Sequence, residues 1–220
     1  MQNLQFGPVF AHSDAFIDGV ISTLVLAALS IFFGTIIGLL GAIGRSYGPR
    51  ILSAPIGAYV EIIRNTPLLI QLYFVFFTLP LVGIKLSSNW AAIVALSIHL
   101  GAYAIEIIRA GIDSIPQGQI EAAKSLGLRP YRIVRHVIVV PALKAVYPSL
   151  TAQFILQIMG TSIVGAIAAE ELTAIANNLV MQTFRSFEIY IVIAVIYFVI
   201  VQSASLLFAG IGRLLFQWKA

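Results

Sequence analysis

Residues 117–144 read QGQIEAAKSLGLRPYRIVRHVIVVPALK and form the longest interval without a continuous apolar run in this chain of 220 residues. The basic side chains of the interval are Lys124, Arg129, Arg132, Arg135 and Lys144. Because so many charges are costly in hydrocarbon, the interval must lie outside the lipid. Glu121, Ala122 and Ala123 belong to a run of strong helix formers, and Gly127 can adopt the left-handed conformation of a helix C-cap. We therefore predict a short capped helix that faces water and presents a docking surface.

The composition is that of a protein that lies in lipid. Hydrophobic residues make up 60% of the chain, and the mean hydropathy is +0.98, whereas soluble domains are about 45–50% apolar. We therefore predict an all-α integral membrane protein. The absence of cysteine excludes disulfides and thiolate sites, and the scattered histidines predict no metal site. The net charge of +4 is more typical of membrane orientation than of binding to nucleic acid.

Five segments are long and apolar enough to cross ~30 Å of hydrocarbon, which takes about 20 helical residues. They lie near residues 17–43, 53–80, 90–112, 145–168 and 189–212, with a loop at 113–144 between the third and fourth. We predict one transmembrane domain over residues 1–220. In the first span, Gly34, Gly38 and Ala42 recur every four residues, and this ridge of small residues lets another helix approach closely.

Basic residues divide unevenly between the two sides of the membrane if the spans alternate. One side carries eight, which are Arg45, Arg50, Lys124, Arg129, Arg132, Arg135, Arg213 and Lys219. The other side carries only Lys85 and Arg185. Since cytoplasmic loops are rich in Lys and Arg, this asymmetry places the loop 113–144 in the cytoplasm. The N-terminus is then outside and the C-terminus cytoplasmic.

The second span contains EIIRNTPLLIQLYF at residues 61–74, where Glu61 and Arg64 are too polar to face lipid. A charge near the middle of the bilayer costs at least about 2.5–3.5 kcal/mol, and residues three apart on a helix can form an ion pair. Pro67 removes a backbone donor, so we expect a kink with Thr66 at the break. Two interpretations stay open: these residues line a translocation pathway, or the ion pair fixes helix packing.

The third span repeats this arrangement with Glu106 and Arg109, again three residues apart. One face of the predicted helix holds His99, Tyr103, Glu106 and Asp113. Because neighbouring spans run in opposite directions, both Glu/Arg pairs lie towards the cytoplasmic half, where a network across helices can form. We expect His99 to be a hydrogen-bonded interior histidine rather than a proton carrier.

Polar side chains recur every four residues along the fourth span, at Ser149, Gln153, Gln157 and Thr161. Amides and hydroxyls without partners cost several kcal/mol each in lipid, so this stripe must face protein or water. We expect it to line a wet cavity, and hydrogen bonds to neighbouring helices are the alternative. The predicted substrate pathway consists of Glu61, Arg64, Thr66, Gln153, Gln157, Thr161 and Ser162.

The sequence contains no glycine-rich phosphate loop, no nucleophile elbow and no metal-binding helix motif. We therefore predict that the chain is not an enzyme and does not itself hydrolyse ATP. Any energy input must come from another subunit.

Four stretches resemble the permease subunits of polar amino-acid ABC importers, the histidine, glutamine, arginine and opine group. They are GVISTLVLAALS at 19–30, EIIRNTPLLIQLYF at 61–74, AYAIEIIRAGIDSIPQGQIEAAKSLGL at 102–128 and TSIVGAIAAEELT at 161–173. The EAA sequence with Gly127 is typical of binding-protein-dependent permeases in general, and the longer stretches are typical of the amino-acid branch. Pro141 follows Gly127 one residue later than this family usually places it.

The resemblance implies a subunit that carries amino acids across a bacterial inner membrane into the cytoplasm. Glu121, Ala122, Ala123 and Gly127 would form the coupling helix that contacts the ATPase. Two permease subunits and two ATP-binding subunits would form the core, and a periplasmic or tethered binding protein would deliver the amino acid. ATP and magnesium would bind the ATPase, which leaves this chain without a cofactor. The alternatives are a permease for opines or another small polar solute, and a membrane channel or scaffold without an ATPase.

Overall fold

The computed structural model describes residues 4–216, and within this range every regular element is helical. The longer helices are α1 (Ser13–Tyr47), α2 (Arg50–Arg64), α3 (Leu68–Thr78), α4 (Ser88–Asp113), α5 (Gln117–Ser125), α6 (Val140–Gly160), α7 (Leu172–Thr183) and α8 (Ser186–Leu215). A π-helix covers Ile133–Val139, before α6. Lys219, which contributes to the predicted orientation, lies outside the described residues. The all-α class predicted from the sequence is confirmed.

Four helical stretches are long and apolar enough to cross a membrane. They are Ser13–Tyr47, Ser88–Asp113, Pro130–Ile167 and Ser186–Leu215. The segment predicted as a single span at 53–80 is instead a pair of helices, Arg50–Arg64 and Leu68–Val82, bent by 112° relative to each other. Five spans result if this pair crosses the membrane as one unit, and that count stays a prediction.

The break between α2 and α3 follows from Pro67. Proline has no backbone N–H and disfavours helical geometry in the residue before it, so α2 ends at Arg64. Pro67 itself has an extended backbone, with φ −62° and ψ 139°, and serves as the N-cap of α3. The predicted kink is therefore a full interruption, because both Asn65 and Thr66 have left the helix.

Helices α1 and α4 form the most extensive helix pair within residues 4–216. Gly34 lies so close to Leu100 that an added Cβ would be 2.8 Å from the leucine side chain, and a Cβ on Gly38 would overlap the methyl group of Ala104. Ala42 is fully buried. The ridge of small residues predicted from the sequence is thus confirmed as a close helix contact.

The loop between α4 and α6 contains the predicted capped helix. Helix α5 ends in a Schellman motif, in which Gly127 has a φ of +68°. The Gly127 N–H donates to the carbonyl of Lys124 at 2.9 Å, and the Leu128 N–H donates to the carbonyl of Ala123 at 3.2 Å. Because the cap satisfies these terminal carbonyls, α5 ends in a defined turn.

The π-helix at Ile133–Val139 joins this loop to α6. A π turn closes on the fifth residue rather than the fourth, so it holds one residue more than an α turn. This wider turn lies between Gly127 and Pro141. The chain enters α6 without a break, since Val139 and Val140 keep helical backbone angles.

Candidate functional site

The break in the second span is held by Gln71, a glutamine that is not among the predicted site residues. Gln71 is 7% exposed, and its Nε2 lies 2.7 Å from the carbonyl oxygen of Ile63 and 3.0 Å from that of Thr66. Nε2 also lies 2.9 Å from the Thr66 hydroxyl, which donates in turn to the carbonyl of Ile62 at 2.9 Å. The side chain of Gln71 therefore supplies the donors that the end of α2 lacks.

His99 of α4 joins this arrangement from the neighbouring helix. Its Nδ1 lies 3.0 Å from Oε1 of Gln71. The amide NH₂ of Gln71 faces carbonyls, so Oε1 is the acceptor and the hydrogen-bond network assigns the proton to Nδ1 of His99. The imidazole also packs against the ring of Tyr103, with 5.0 Å between centroids. The expectation of a hydrogen-bonded interior histidine is confirmed.

A charge cluster lies further along α4, around the carboxylate of Glu106. Arg45 at the end of α1 donates to this carboxylate, and Arg109 contacts both of its oxygens at 3.1 and 3.3 Å. The guanidinium of Arg64 lies 3.9 Å from it, and Arg109 also donates to Asp113 at 2.7 Å. Arginines from α1, α2 and α4 therefore converge on one glutamate.

The two predicted ion pairs have different outcomes. Glu106 and Arg109 form an ion pair. Glu61 and Arg64 do not, so the predicted pairing of Glu61 with Arg64 was wrong. Arg64 is the last residue of α2, and it reaches across to α4, where its guanidinium lies 5.4 Å from the centroid of the Tyr103 ring. The aromatic face and the carboxylate of Glu106 together attract this cation. Glu61 instead accepts a hydrogen bond of 3.3 Å from the Asn65 amide.

Arg45 was missed as a member of the cluster because the sequence marked it only as the end of the first span. The sequence did contain an indication that Arg45 faces α4. Arg45 lies three residues after Ala42, so it continues the small-residue face that packs against α4. Gln71 had a signal too, since a lone amide in an apolar helix has to find a partner.

Two clefts adjoin the cluster and share Arg64. The smaller has a volume of about 280 Å³ and is lined by Val60, Glu61, Arg64, Asn65 and Tyr103. The larger, of about 420 Å³, lies between α4 and α6, with Glu106, Ser114 and Ser149 among its lining residues. Glu61 and Arg64 line the smaller cleft together, and their role in a substrate pathway stays a prediction.

The polar stripe of α6 corrects part of the predicted pathway. Gln157 is 2% exposed and donates to the carbonyl of Leu96 at 2.8 Å and to the hydroxyl of Ser30 at 3.3 Å. Thr161 is fully buried and donates to the carbonyl of Ile158 at 2.7 Å. The expected wet cavity is therefore wrong for Gln157 and Thr161, because α6 packs this part of the stripe against α1 and α4. The alternative, interhelical hydrogen bonding, describes Gln157.

The remaining pathway candidates lie nearer the surface of the chain. Gln153 and Ser162 are half-buried, and the Ser162 hydroxyl donates to the carbonyl of Met159 at 2.8 Å. Thr66 lies at the break, as predicted. Thr66 and Arg64 are two residues apart in sequence. Neither shares a cavity with Gln157, which is buried between helices.

The predicted coupling residues lie on different sides of α5 and, for Gly127, in the turn that follows it. Glu121 and Ala122 are exposed, whereas Ala123 is buried against the protein. A cleft of about 780 Å³ separates α5 from the end of α1, with Tyr47 and Lys124 among its lining residues. Within residues 4–216, no three His, Asp or Glu side chains come together to hold a metal ion.

Comparison with known proteins places this architecture in a family. Residues 30–217 match the family described as the binding-protein-dependent transport system inner membrane component. The chain is 34% identical over 199 residues to the glutamine transport system permease protein GlnP of Escherichia coli K12, covering 90% of this chain and 91% of that protein. It is 39% identical over 192 residues to a probable glutamine ABC transporter permease protein GlnP of Bacillus subtilis 168, covering 86% and 88%.

Solved structures agree with this placement. A crystal structure of an amino acid ABC transporter with histidines has 36% sequence identity and a TM-score of 0.89, covering 96% of this chain and 99% of that one. The methionine ABC transporter MetNI, in an inward-facing conformation, has 25% identity and a TM-score of 0.75, covering 91% and 96%. The chain therefore belongs to the family of binding-protein-dependent inner membrane transport components, as the permease subunit of an amino acid ABC importer.

Proposed function

We propose that α5 docks onto a separate ATP-binding subunit, and that ATP hydrolysis there drives amino acids through this permease into the cytoplasm. The observation that carries the proposal is the Schellman cap at Gly127, which ends α5 in a fixed turn and leaves Glu121 and Ala122 exposed. ATP and Mg²⁺ bind the partner, since this sequence contains no phosphate-binding loop. A second permease subunit and a solute-binding protein complete the importer.

The docking role is tested by Gly127→Val. A Cβ at Gly127 meets no atom within 4 Å, so the only penalty is its positive φ, which costs about 1–2 kcal/mol for a residue with a side chain. We expect normal membrane insertion, together with weaker co-purification of the ATPase or less transport-stimulated ATP hydrolysis. The matched control is Gly210→Val on α8, where a Cβ also meets open space without a positive φ. Unchanged stimulated hydrolysis in a well-expressed Gly127→Val complex would rule out the docking role.

Polar amino acids, glutamine among them, are the substrates that we propose. The relative from Escherichia coli is a glutamine transport system permease protein, and the charged groups beside the break of the second span fit a small polar solute. Uptake of a panel of labelled amino acids by cells with and without this chain tests the proposal. Uptake of opines alone would favour the alternative solute class, and co-purification without any ATPase would favour a channel or scaffold.

The proposed orientation places α5 in the cytoplasm, as the distribution of basic residues predicts. Gln119 on α5 and Asn178 on α7 are both exposed, and the chain contains no cysteine. We expect a cysteine at Asn178 to react with a membrane-impermeant thiol reagent in cells with a permeabilised outer membrane, and a cysteine at Gln119 to stay unmodified. The reverse pattern would overturn the orientation and, with it, the contact with the ATPase.

A further inference from the structure

Glu61 and Arg64 line the same cleft without forming an ion pair. The carboxylate of Glu61 accepts only the amide of Asn65, at 3.3 Å, and within residues 4–216 no cation lies within 4.0 Å of it. Both Glu61 and Asn65 are exposed in the chain. Because a charge that faces lipid is costly, an exposed carboxylate without a cation has to face water, a ligand or another subunit.

Arg64 is the surplus cation of the neighbouring cluster. Glu106 is already bound by Arg45 and Arg109, both within hydrogen-bonding distance, whereas Arg64 is held at 3.9 Å and donates no hydrogen bond within residues 4–216. Its side chain is 44% exposed. The ring of Tyr103 supports the guanidinium from one face, so its N–H groups stay available in the plane.

An unpaired anion and a surplus cation at one small cleft complement a ligand that carries both charges. We propose that the cleft of about 280 Å³ binds the zwitterionic group of an α-amino acid, with Arg64 receiving the carboxylate and Glu61 the ammonium. This inference rests on the proposed function and adds to it the groups that recognise the substrate. The aliphatic or polar side chain of the amino acid extends towards the larger cleft, which shares Arg64.

The geometry fits the chemistry of an α-amino acid. Side chains three residues apart on a helix have Cβ atoms about 5–6 Å apart, and an amino acid carries its carboxylate and ammonium on one carbon. A planar guanidinium binds a carboxylate through two parallel hydrogen bonds, and Tyr103 holds this plane in place.

The absence of cysteine allows a direct test. Asn65→Cys introduces a single thiol into the cleft, and its labelling rate is measured in the detergent-solubilised complex, where both faces are accessible. A saturating mixture of all the protein L-amino acids should slow labelling about tenfold or more, because charge-assisted hydrogen bonds are among the strong ones. The corresponding amino acid amides, without the carboxylate, and α-hydroxy acids, without the ammonium, should protect at least about tenfold less well.

Charge variants in the same reporter background assign the two roles. We expect Arg64→Gln and Glu61→Gln to abolish protection, Arg64→Lys to restore part of it, and Arg50→Gln, at the other end of the same helix, to leave it unchanged. Equal protection by the amides, or protection that survives Arg64→Gln, would overturn the assignment. Protection without uptake would reject the transport function and leave the site standing, whereas amino acid uptake without protection would reject the site alone.

Uptake provides a second measurement that does not need the thiol reporter. At matched amounts of assembled complex, Arg64→Gln should lower amino acid uptake about tenfold or more while basal ATP hydrolysis persists. Arg50→Gln should have normal uptake. Normal uptake by Arg64→Gln would overturn the proposal even where Asn65→Cys fails to assemble.

Discussion

The α1–α4 pair and the broken second span are held together by opposite means. Helices α1 and α4 touch through glycines and small apolar residues, and the fit leaves no room for a Cβ at Gly38. Helices α2 and α3 meet at a bend of 112°, and side-chain hydrogen bonds from Gln71 and Thr66 occupy the gap. One contact depends on shape and the other on exchangeable polar partners.

The difference teaches which part of the molecule is able to change. A close-packed contact loses its dispersion energy as soon as the surfaces separate, so it has essentially one arrangement. Hydrogen bonds at a break can be exchanged for bonds to water or to a ligand at little net cost. The α1–α4 pair is therefore the scaffold, and the second span, with the charges of Glu61 and Arg64, is the adaptable element.

The largest effect on folding is expected at Gly38, in the contact between α1 and α4. Gly38→Val places methyl groups where Ala104 already lies, and overpacking of this kind costs about 1–3 kcal/mol or more. We expect little folded protein in the membrane, measured as the monodisperse fraction after solubilisation, and a lower thermal midpoint in what remains. Gly210→Val on α8, where a Cβ meets no atom within 4 Å, is the control and should behave as the parent chain does. A well-folded Gly38→Val protein would contradict the scaffold role.

A smaller effect is expected at the break itself. Gln71→Leu removes the donors for the carbonyl of Thr66 and the acceptor for His99, at about 1–3 kcal/mol for each buried group left unpaired. The complex should still assemble, with a lowered thermal midpoint and lower uptake per complex. Gln202→Leu, an exposed position on α8, should change neither quantity. If Gln71→Leu leaves both unchanged, the hydrogen bonds do not hold the break.

The smallest effect on stability is expected at Thr66, at the break of the second span. Thr66→Val keeps the shape of the side chain but loses the hydroxyl that donates to Ile62, which costs about 1 kcal/mol. Thr66→Ser keeps the hydroxyl and should restore the thermal midpoint. A pair of variants with equal midpoints would show that shape, not hydrogen bonding, determines stability at this position.

The features readable from the sequence were those that a single helix determines. Gly34 and Gly38 predicted a close helix contact, Pro67 predicted a break, and Gly127 predicted the cap of α5, and all three are present. Each prediction depends on one residue type with one strong physical preference. The spacing of charges on α4 likewise predicted the pairing of Glu106 with Arg109.

Features that depend on how two helices align were not readable. Periodicity placed Gln157 on a polar face, but only the packing of α6 decides whether that face meets Leu96 or water. The same limit applies to Arg64, because its predicted partner was Glu61 on its own helix and its observed partner is Glu106 on another helix. The sequence predicts which side chains share a face, and the partner of that face comes from tertiary structure.

The short connection between α4 and α5 makes the close-packed α1–α4 pair a lever that moves as one body. Only Ser114, Ile115 and Pro116 separate the two helices, so displacement of α5 acts directly on the end of α4. His99 lies about 21 Å along this rod from Asp113, at 1.5 Å per residue, and a tilt of about 5° moves it by about 2 Å. A hydrogen bond of 3.0 Å to Gln71 does not survive such a stretch. The second span must then either follow the lever or release it.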